Sequence, residues 1–178
     1  MKVVFVDRDG TLSLEGGYCH PHDFQLAPWA AEGIRLLNQH GLPVIIVTNQ
    51  TGIAHGRFTV KELLCCFARM IMELSQQNAF LEGMLFQAAR DLNLTIRDCF
   101  MVGDAGYSDM RAGSAAGCKT VLVLTGWGKS SLLQYREDWA NIEPDKIVET
   151  FLDAAKWIVS AVPKQLLTTP SSTRIIEL

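Results

Sequence analysis

Four aspartates lie where predicted strands end, and their placement indicates metal-assisted chemistry. Asp7 and Asp9 directly follow a short apolar run, and Asp104 follows another, with Asp109 five residues further along the chain. Carboxylates that converge on one rim repel one another unless a hard cation lies between them. Ligands that are all oxygen favour Mg²⁺ over zinc. We therefore predict a Mg²⁺ site among these aspartates.

The segment Thr48-Asn49-Gln50 follows a third apolar run and supplies uncharged groups to the same predicted site. Its hydroxyl, amides and backbone N–H groups suit the oxygens of a phosphoryl group, whose transfer depends mostly on positioning and charge neutralisation. An aspartate can serve as the covalent nucleophile. Each pattern alone is also typical of an ordinary turn or helix cap. Their recurrence at successive strand ends favours phosphate chemistry with an aspartyl intermediate.

The elements that must position these residues alternate along the chain. Short apolar runs bounded by turn residues predict buried strands at residues 3–6, 44–47, 99–102 and 121–124. Helical patterns predict helices from Ala30 to Leu37, over 59–77, 84–92 and 109–116, and over 150–159. Alternating strands and helices predict an open, mainly parallel three-layer α/β sheet, in which ligands bind beyond the carboxyl ends of the strands.

The domain organisation follows from length and composition. The 178 residues suffice for one domain, which we place at residues 1–162. Residues 163–178 contain two prolines and a Thr/Ser-rich stretch, so we expect a mobile C-terminal tail. The segment 13–28 is expected to be a short loop over the first strand end.

Charge and cysteine content exclude several classes of partner. A net charge of −3 without a basic cluster disfavours nucleic acid and anionic membrane surfaces. No apolar run approaches the roughly 20 residues that span a bilayer, and none suits a signal peptide. Five scattered cysteines without a C-x-x-C pair indicate neither a disulfide framework nor a zinc site. We therefore expect a cytoplasmic protein.

Three motifs resemble the haloacid dehalogenase (HAD) superfamily, subfamily IIIA. They are Asp7-Arg8-Asp9-Gly10-Thr11-Leu12, Thr48-Asn49-Gln50-Thr51-Gly52-Ile53, and Val102-Gly103-Asp104 with Asp109. The pattern V-T-N-Q-x-G-I-x-x-G-x-F at residues 47–58 resembles the branch of histidinol-phosphate and D-glycero-D-manno-heptose 1,7-bisphosphate phosphatases. The resemblance covers about residues 2–160 and implies a Rossmann-like fold with a minimal cap.

The resemblance also implies roles for individual residues. Asp7 would be the nucleophile, and Asp9 would be the general acid for the leaving alcohol and then the base that activates water. Thr48 would bind the transferring phosphate, with Asn49 and Gln50 beside it at the substrate.

The same resemblance implies a ligand set and a remote contact. Mg²⁺ would be held by Asp7, the backbone carbonyl of Asp9, and Asp104, with Asp109 helping through water. Arg57 would clamp a second phosphate, and the neighbouring His55 could also meet the remote part of the substrate.

The sequence departs from the family at one place. Between Gly83 and Met84 it lacks the residues that carry the family's edge strand, Cys/His zinc loop and a lysine that contacts nucleophile and phosphate. We therefore expect the edge strand to be missing. Lys61 and Lys129 are candidate replacements for the lysine, although either is more often a solvated surface residue. Loss of one preorganised donor costs on the order of 10²–10³ in rate.

Three functions are compatible with these observations. The first is a Mg²⁺-dependent phosphatase, expected to be monomeric, that acts on a small phosphorylated metabolite such as a sugar phosphate. The second is a catalytically impaired family member that binds Mg²⁺ and a phosphorylated ligand without turnover, which the absent lysine favours. The third is a phosphotransferase on the same scaffold, but a small cap excludes little water and so favours hydrolysis.

Overall fold

A six-stranded parallel sheet forms the centre of the protein. The computed structural model describes residues 2–14, 20–48, 50–86 and 96–162. The strand order is β3-β2-β1-β4-β5-β6. The strands are β1 (Val4–Val6), β2 (Val44–Thr48), β3 (Gly83–Phe86), β4 (Phe100–Gly103), β5 (Lys119–Val123) and β6 (Lys146–Val148).

Helices lie in the connections from β1 to β2, β2 to β3, β4 to β5 and β5 to β6, as parallel pairing favours. The helices are α1 (Ala30–Gln39), α2 (Thr51–Ala54), α3 (Val60–Gln76), α4 (Arg111–Ala116), α5 (Gly128–Leu133) and α6 (Phe151–Ala161). A π-helical turn, Gly106–Met110, leads directly into α4. Capping boxes begin α3 at Thr59 and α6 at Thr150, where the sequence predicts that helices begin. None of the helices within the described ranges is long and apolar enough to cross a membrane.

The register of the central strands brings the predicted site residues to one edge. Val6 of β1 is paired with Ile46 of β2 on one side and with Val102 of β4 on the other. Asp7 therefore leaves the sheet between the ends of the two neighbouring strands. Its backbone N–H donates to the carbonyl of Val102 at 2.9 Å, which continues the β1–β4 ladder into the site.

The main hydrophobic core lies between one face of the sheet and helices α1, α3 and α6. Ile34 and Leu37 of α1 and Ile158 of α6 are fully buried in it. The two helices approach closely because Gly33 faces the ring of Phe151, where any Cβ would collide. This tight packing holds the strands whose ends carry the site.

Two expectations about the sheet were wrong. The predicted helix at residues 84–92 begins instead as strand β3, which pairs in parallel with β2, so the edge strand is present. Unpaired backbone groups along the edge of β2 gain partners this way, and this tertiary pairing overrides the local helical pattern. Residues 87–95 lie outside the described ranges. Strand β6 was also not predicted, because its sequence Lys-Ile-Val is short.

The sequence also made predictions for the loop after β1 and for the C-terminal tail. The loop after β1 is closed by a bridge between Ser13 and Leu26 and by a 2.8 Å hydrogen bond from the Ala27 N–H to the Leu12 carbonyl. The predicted tail, 163–178, lies outside the described residues. Cys65 and Cys118 are free thiols.

Candidate active site

Three carboxylates meet at the carboxyl edge of the sheet. Asp7 follows β1, Asp104 follows β4, and Asp109 lies in the π turn after it. One oxygen from each lies within 4.8 Å of the other two. Asp104 and Asp109 are buried, while Asp7 is partly accessible. The three side chains form a compact, all-oxygen group that opens to one side, which we call the carboxylate cluster.

Neutral donors hold two members of the carboxylate cluster in place. The backbone N–H of Trp127 donates to Oδ2 of Asp104 at 2.7 Å. The backbone N–H of Ala105 donates to Oδ2 of Asp109 at 2.9 Å, and the Ser108 hydroxyl donates to its Oδ1 at 3.1 Å. These groups fix orientation without contributing a positive charge.

Two glycines allow the loops after β1 and β5 to close around Asp104. Gly10 has φ +81° and Gly126 has φ +50°, a region that favours glycine. A Cβ on either residue would collide with Oδ2 of Asp104. The Thr125 hydroxyl also donates to the Gly10 carbonyl at 2.5 Å, which ties the two loops together.

Burial raises the pKa values of all three carboxyl groups in the carboxylate cluster, and repulsion from neighbouring carboxylates adds to the shift at Asp7 and Asp104. Burial raises the pKa of Asp104 to about 7 and that of Asp109 to about 6. The pKa of Asp7 is raised well above its usual value, first by burial and then by the charges of Asp109 and Asp104. Without a cation the cluster therefore resists full ionisation near neutral pH. Hard oxygen donors that need positive charge fit Mg²⁺.

Asp9, two residues from Asp7, has an opposite environment. The guanidinium of Arg8 donates to Asp9 in a two-point fork, from Nε to Oδ1 and from Nη2 to Oδ2, both at 2.8 Å. The Gln50 amide donates to Asp9 Oδ2 at 2.8 Å. The pKa of Asp9 is raised by burial, and the Arg8 charge partly offsets this effect.

Arg8 is a site residue that sequence reasoning missed. Its side chain is fully buried, and its guanidinium carbon lies 5.6 Å from the ring centroids of both Phe24 and Phe67. The available signal was its position between two aspartates at the end of a strand, where alternate side chains point to opposite faces. Arg8 therefore enters the helix layer while Asp7 faces the site.

Gln50 connects Asp9 to the predicted phosphate-binding residue. Its Nε2 also donates to the Thr48 hydroxyl oxygen at 2.7 Å, and its Oε1 accepts from Arg8 Nη2 at 3.2 Å. Thr48 is 5 % exposed, at the end of β2. Because Thr48 Oγ1 accepts here, its own proton can be donated to a phosphate oxygen. We call Arg8, Asp9, Gln50 and Thr48 the polar network.

The remaining predicted residues belong to neither the carboxylate cluster nor the polar network. Arg57 and His55 are exposed in the turn after α2. Lys61 and Lys129, the candidate lysine replacements, are also exposed. Asn49 lies outside the described residues. The structure thus brings together the seven residues of the carboxylate cluster and the polar network, while Arg57 is an exposed residue outside both.

Comparisons with known proteins identify the family to which this chain is similar. A protein-family model described as HAD-hydrolase-like matches residues 81–154. The D-glycero-beta-D-manno-heptose-1,7-bisphosphate 7-phosphatase of Pasteurella multocida is 35% identical over an alignment of 153 positions that covers 70% of this chain and 83% of that protein. The enzyme of the same name from Yersinia pestis is 32% identical, over 78% of this chain and 89% of its own length.

Solved structures have the same fold. A D,D-heptose 1,7-bisphosphate phosphatase from Burkholderia thailandensis superposes with a TM-score of 0.73 at 27% identity, covering 90% of this chain and 99% of that one. The enzyme from B. bronchiseptica, complexed with magnesium and phosphate, gives a TM-score of 0.76 at 24% identity, covering 91% and 100%.

Proposed function

Because this chain belongs to the HAD-like hydrolase family and is a phosphoric monoester hydrolase, we propose that it is a Mg²⁺-dependent sugar-phosphate phosphatase that forms an aspartyl phosphate on Asp7. The observation that carries the proposal is the pairing of two unlike aspartates at one strand end. Asp7 lies in the carboxylate cluster, and Asp9 lies in the polar network. Relatives named as heptose 1,7-bisphosphate 7-phosphatases support a sugar bisphosphate as substrate.

The carboxylate cluster would hold the metal ion. Asp7, Asp104 and Asp109 offer carboxylate oxygens, and the backbone carbonyl of Asp9 would complete the protein ligands. When bound, Mg²⁺ neutralises these carboxylates and the phosphoryl oxygens that approach them. The neutral donors on Asp104 and Asp109 keep their oxygens directed toward the cluster.

The chemical steps would be divided between the two aspartates. A carboxylate oxygen of Asp7 attacks phosphorus, a new O–P bond forms, and the P–O bond to the sugar breaks. Asp9 gives its proton to the leaving oxygen, so a neutral alcohol departs. Asp9 then takes a proton from water, whose oxygen attacks phosphorus and releases inorganic phosphate from Asp7. Thr48 would donate its hydroxyl to the phosphoryl group throughout.

Substrate binding would extend from this centre toward the turn after α2. Asn49 and Gln50 follow Thr48 in the chain and would contact the substrate beside the transferring phosphate. The exposed guanidinium of Arg57 would bind the second phosphate of a bisphosphate. We further propose that residues 1–162 form the catalytic domain, with 163–178 as a tail, and that the protein acts as a cytoplasmic monomer.

A second candidate function is binding without turnover. The sequence lacks the family's lysine, and Lys61 and Lys129 are exposed. A protein that holds Mg²⁺ and a sugar phosphate but transfers phosphate slowly would share every feature of the site described above.

Phosphate release distinguishes the two candidates. The full chain is incubated with heptose 1,7-bisphosphate, other sugar phosphates, histidinol phosphate and p-nitrophenyl phosphate, with Mg²⁺ or with excess EDTA. We expect Mg²⁺-dependent multiple turnover that Asp7→Asn abolishes. Binding of heptose 1,7-bisphosphate by calorimetry without phosphate release would support the second candidate. Activity that persists in Asp7→Asn would contradict the aspartyl intermediate.

A further inference from the structure

We infer that Arg8 is a positioning residue for the reaction, which fixes the carboxylate of Asp9 toward the leaving group through a buried two-point fork. This inference rests on the proposed function, in which Asp9 is the general acid. Arg8 itself would touch neither substrate nor metal, because it is fully buried in the helix layer.

The geometry of the pair leaves Asp9 little rotational freedom. Arg8 Nε lies 2.8 Å from Asp9 Oδ1, and Arg8 Nη2 lies 2.8 Å from Oδ2 and 2.6 Å from Oδ1, so two guanidinium nitrogens hold both carboxylate oxygens. Such a fork is more directional than a single ion pair, and lysine cannot reproduce it. The Asp9 side chain is only 13 % exposed, so it has little solvent in which to reorient.

Arg8 is itself held rigidly. The rings of Phe24 and Phe67 each lie 5.6 Å from its guanidinium carbon, within the range of a cation–π contact. Gln50 joins Arg8 to Asp9, and only one orientation of its amide serves both: Oε1 accepts from the guanidinium while Nε2 donates to the carboxylate. The Asp9 carboxylate is therefore fixed relative to β2 as well as β1.

Stability alone does not account for this arrangement. Burying a charged pair costs desolvation that the pair only partly recovers, and well-packed apolar groups often serve better. Within the described part of the chain, Nη1 of Arg8 also has no hydrogen-bond partner, which adds to the cost. Burying Arg8 is costly, and its two-point fork holds a single carboxylate. The positioning of Asp9 therefore explains this arrangement better than a gain in stability does.

The test compares substrates that differ in their need for an acid. Breaking the P–O bond of a sugar alcohol requires protonation of a strongly basic oxygen, whereas p-nitrophenolate leaves unassisted. The value of kcat/KM reports the steps up to release of this leaving group, so it isolates the first half-reaction. The probes are p-nitrophenyl phosphate and heptose 1,7-bisphosphate, or the best primary-alkyl phosphate that the wild type accepts.

We expect Arg8→Met to lower kcat/KM for the alkyl phosphate by roughly 10²-fold, as for misplacement of a catalytic group by about 1 Å, and to change the aryl value little. Arg8→Lys, which keeps the charge but not the fork, should lose most of the same activity. In the double variant with Asp9→Asn, the alkyl-to-aryl ratio should equal that of Asp9→Asn alone.

Arg69→Met is the matched control. Arg69 lies 5.8 Å from the same Phe24 ring and donates to the Phe24 carbonyl, but its ion pair is with Glu73. Its removal should leave the alkyl-to-aryl ratio unchanged. Equal losses on both substrates in Arg8→Met, or no loss on either, would overturn the inference.

Crystal structures separate this inference from the proposed function. Wild type and Arg8→Met, or Arg8→Lys if Met prevents folding, are compared at the Asp9 side chain. We expect the Asp9 carboxylate to rotate away in the variant. An unchanged carboxylate would overturn the inference even if the wild type proved inactive, whereas an inactive wild type with a displaced Asp9 in the variant would overturn only the proposed function.

Discussion

Asp7 and Asp9 are the same residue type two positions apart, yet the fold gives them opposite surroundings. Asp7 faces two other carboxylates, and the neutral donors around Asp104 and Asp109 bring no positive charge. Asp9 faces the fork of Arg8 and the amide of Gln50. Full ionisation of the first side chain would need a cation from solution, whereas the second has a cation, Arg8, built into the chain.

The difference is what the two catalytic roles that we propose for this strand end would require. A nucleophile must be ionised and open to the substrate, and a bound metal ion can satisfy both conditions. A general acid must exchange a proton at a fixed point, which requires directed hydrogen bonds more than it requires charge. Both surroundings fit at one strand end because Arg8, just after β1, is buried beside Asp9, while Asp7 lies in the carboxylate cluster.

The two aspartates should fail in different ways when each is changed to asparagine. Asp7→Asn should reduce phosphate release by at least about 10⁴-fold, because no covalent intermediate can form. Asp9→Asn should cost about 10²–10⁴-fold but still form the aspartyl phosphate from p-nitrophenyl phosphate. Acid-quenched protein is analysed by mass spectrometry for the added phosphoryl group. A phosphorylated Asp7→Asn protein would mean that the roles are assigned wrongly.

Asp104→Asn should impair the carboxylate cluster and leave the polar network unchanged. Removing one charge from the predicted metal site should weaken Mg²⁺ binding by about 10–100-fold, by comparison with the loss of groups that support metal ligands. The measurement is the Mg²⁺ concentration for half-maximal activity and, independently, binding by calorimetry. Arg69→Met is the control, because Arg69 lies outside the carboxylate cluster. Unaltered Mg²⁺ affinity in Asp104→Asn would exclude Asp104 as a ligand.

The smallest expected effect is a pH dependence of stability in the metal-free protein. Burial raises the pKa of Asp104 to about 7 and that of Asp109 to about 6, whereas both are near 3.9 when unfolded. The native state therefore binds more protons between these values, and its stability is lost as pH rises through the native pKa values. The melting temperature should fall by roughly 5 °C between about pH 5.5 and 8.

Saturating Mg²⁺ should flatten this profile, because the ion favours the ionised carboxylates. Asp104→Asn should reduce the slope in the metal-free protein, since one of the titrating groups is gone. Differential scanning fluorimetry in matched ionic strength measures both. A metal-free melting temperature that rises over the same pH interval would show that the cluster does not control it.

Much of the fold could be predicted from local pattern. The strands β1, β2, β4 and β5 are short apolar runs, and the capping boxes at Thr59 and Thr150 mark where α3 and α6 begin. Strand β3 was mistaken for a helix because four residues carry little periodicity, and its pairing with β2 is a contact distant in sequence. Local pattern cannot report a partner that lies elsewhere in the chain.

The candidate site was also predictable from the sequence only in part. By itself, the sequence determined that Asp7, Asp9, Thr48 and Asp104 lie at or just after the ends of strands, and parallel strands present such residues at one edge. Only the tertiary structure decided that Arg8 is buried against Asp9 and that the Trp127 N–H reaches Asp104. Charge and hydrogen bonding depend on distances across the sheet and its loops, and these distances exist only once the core has packed.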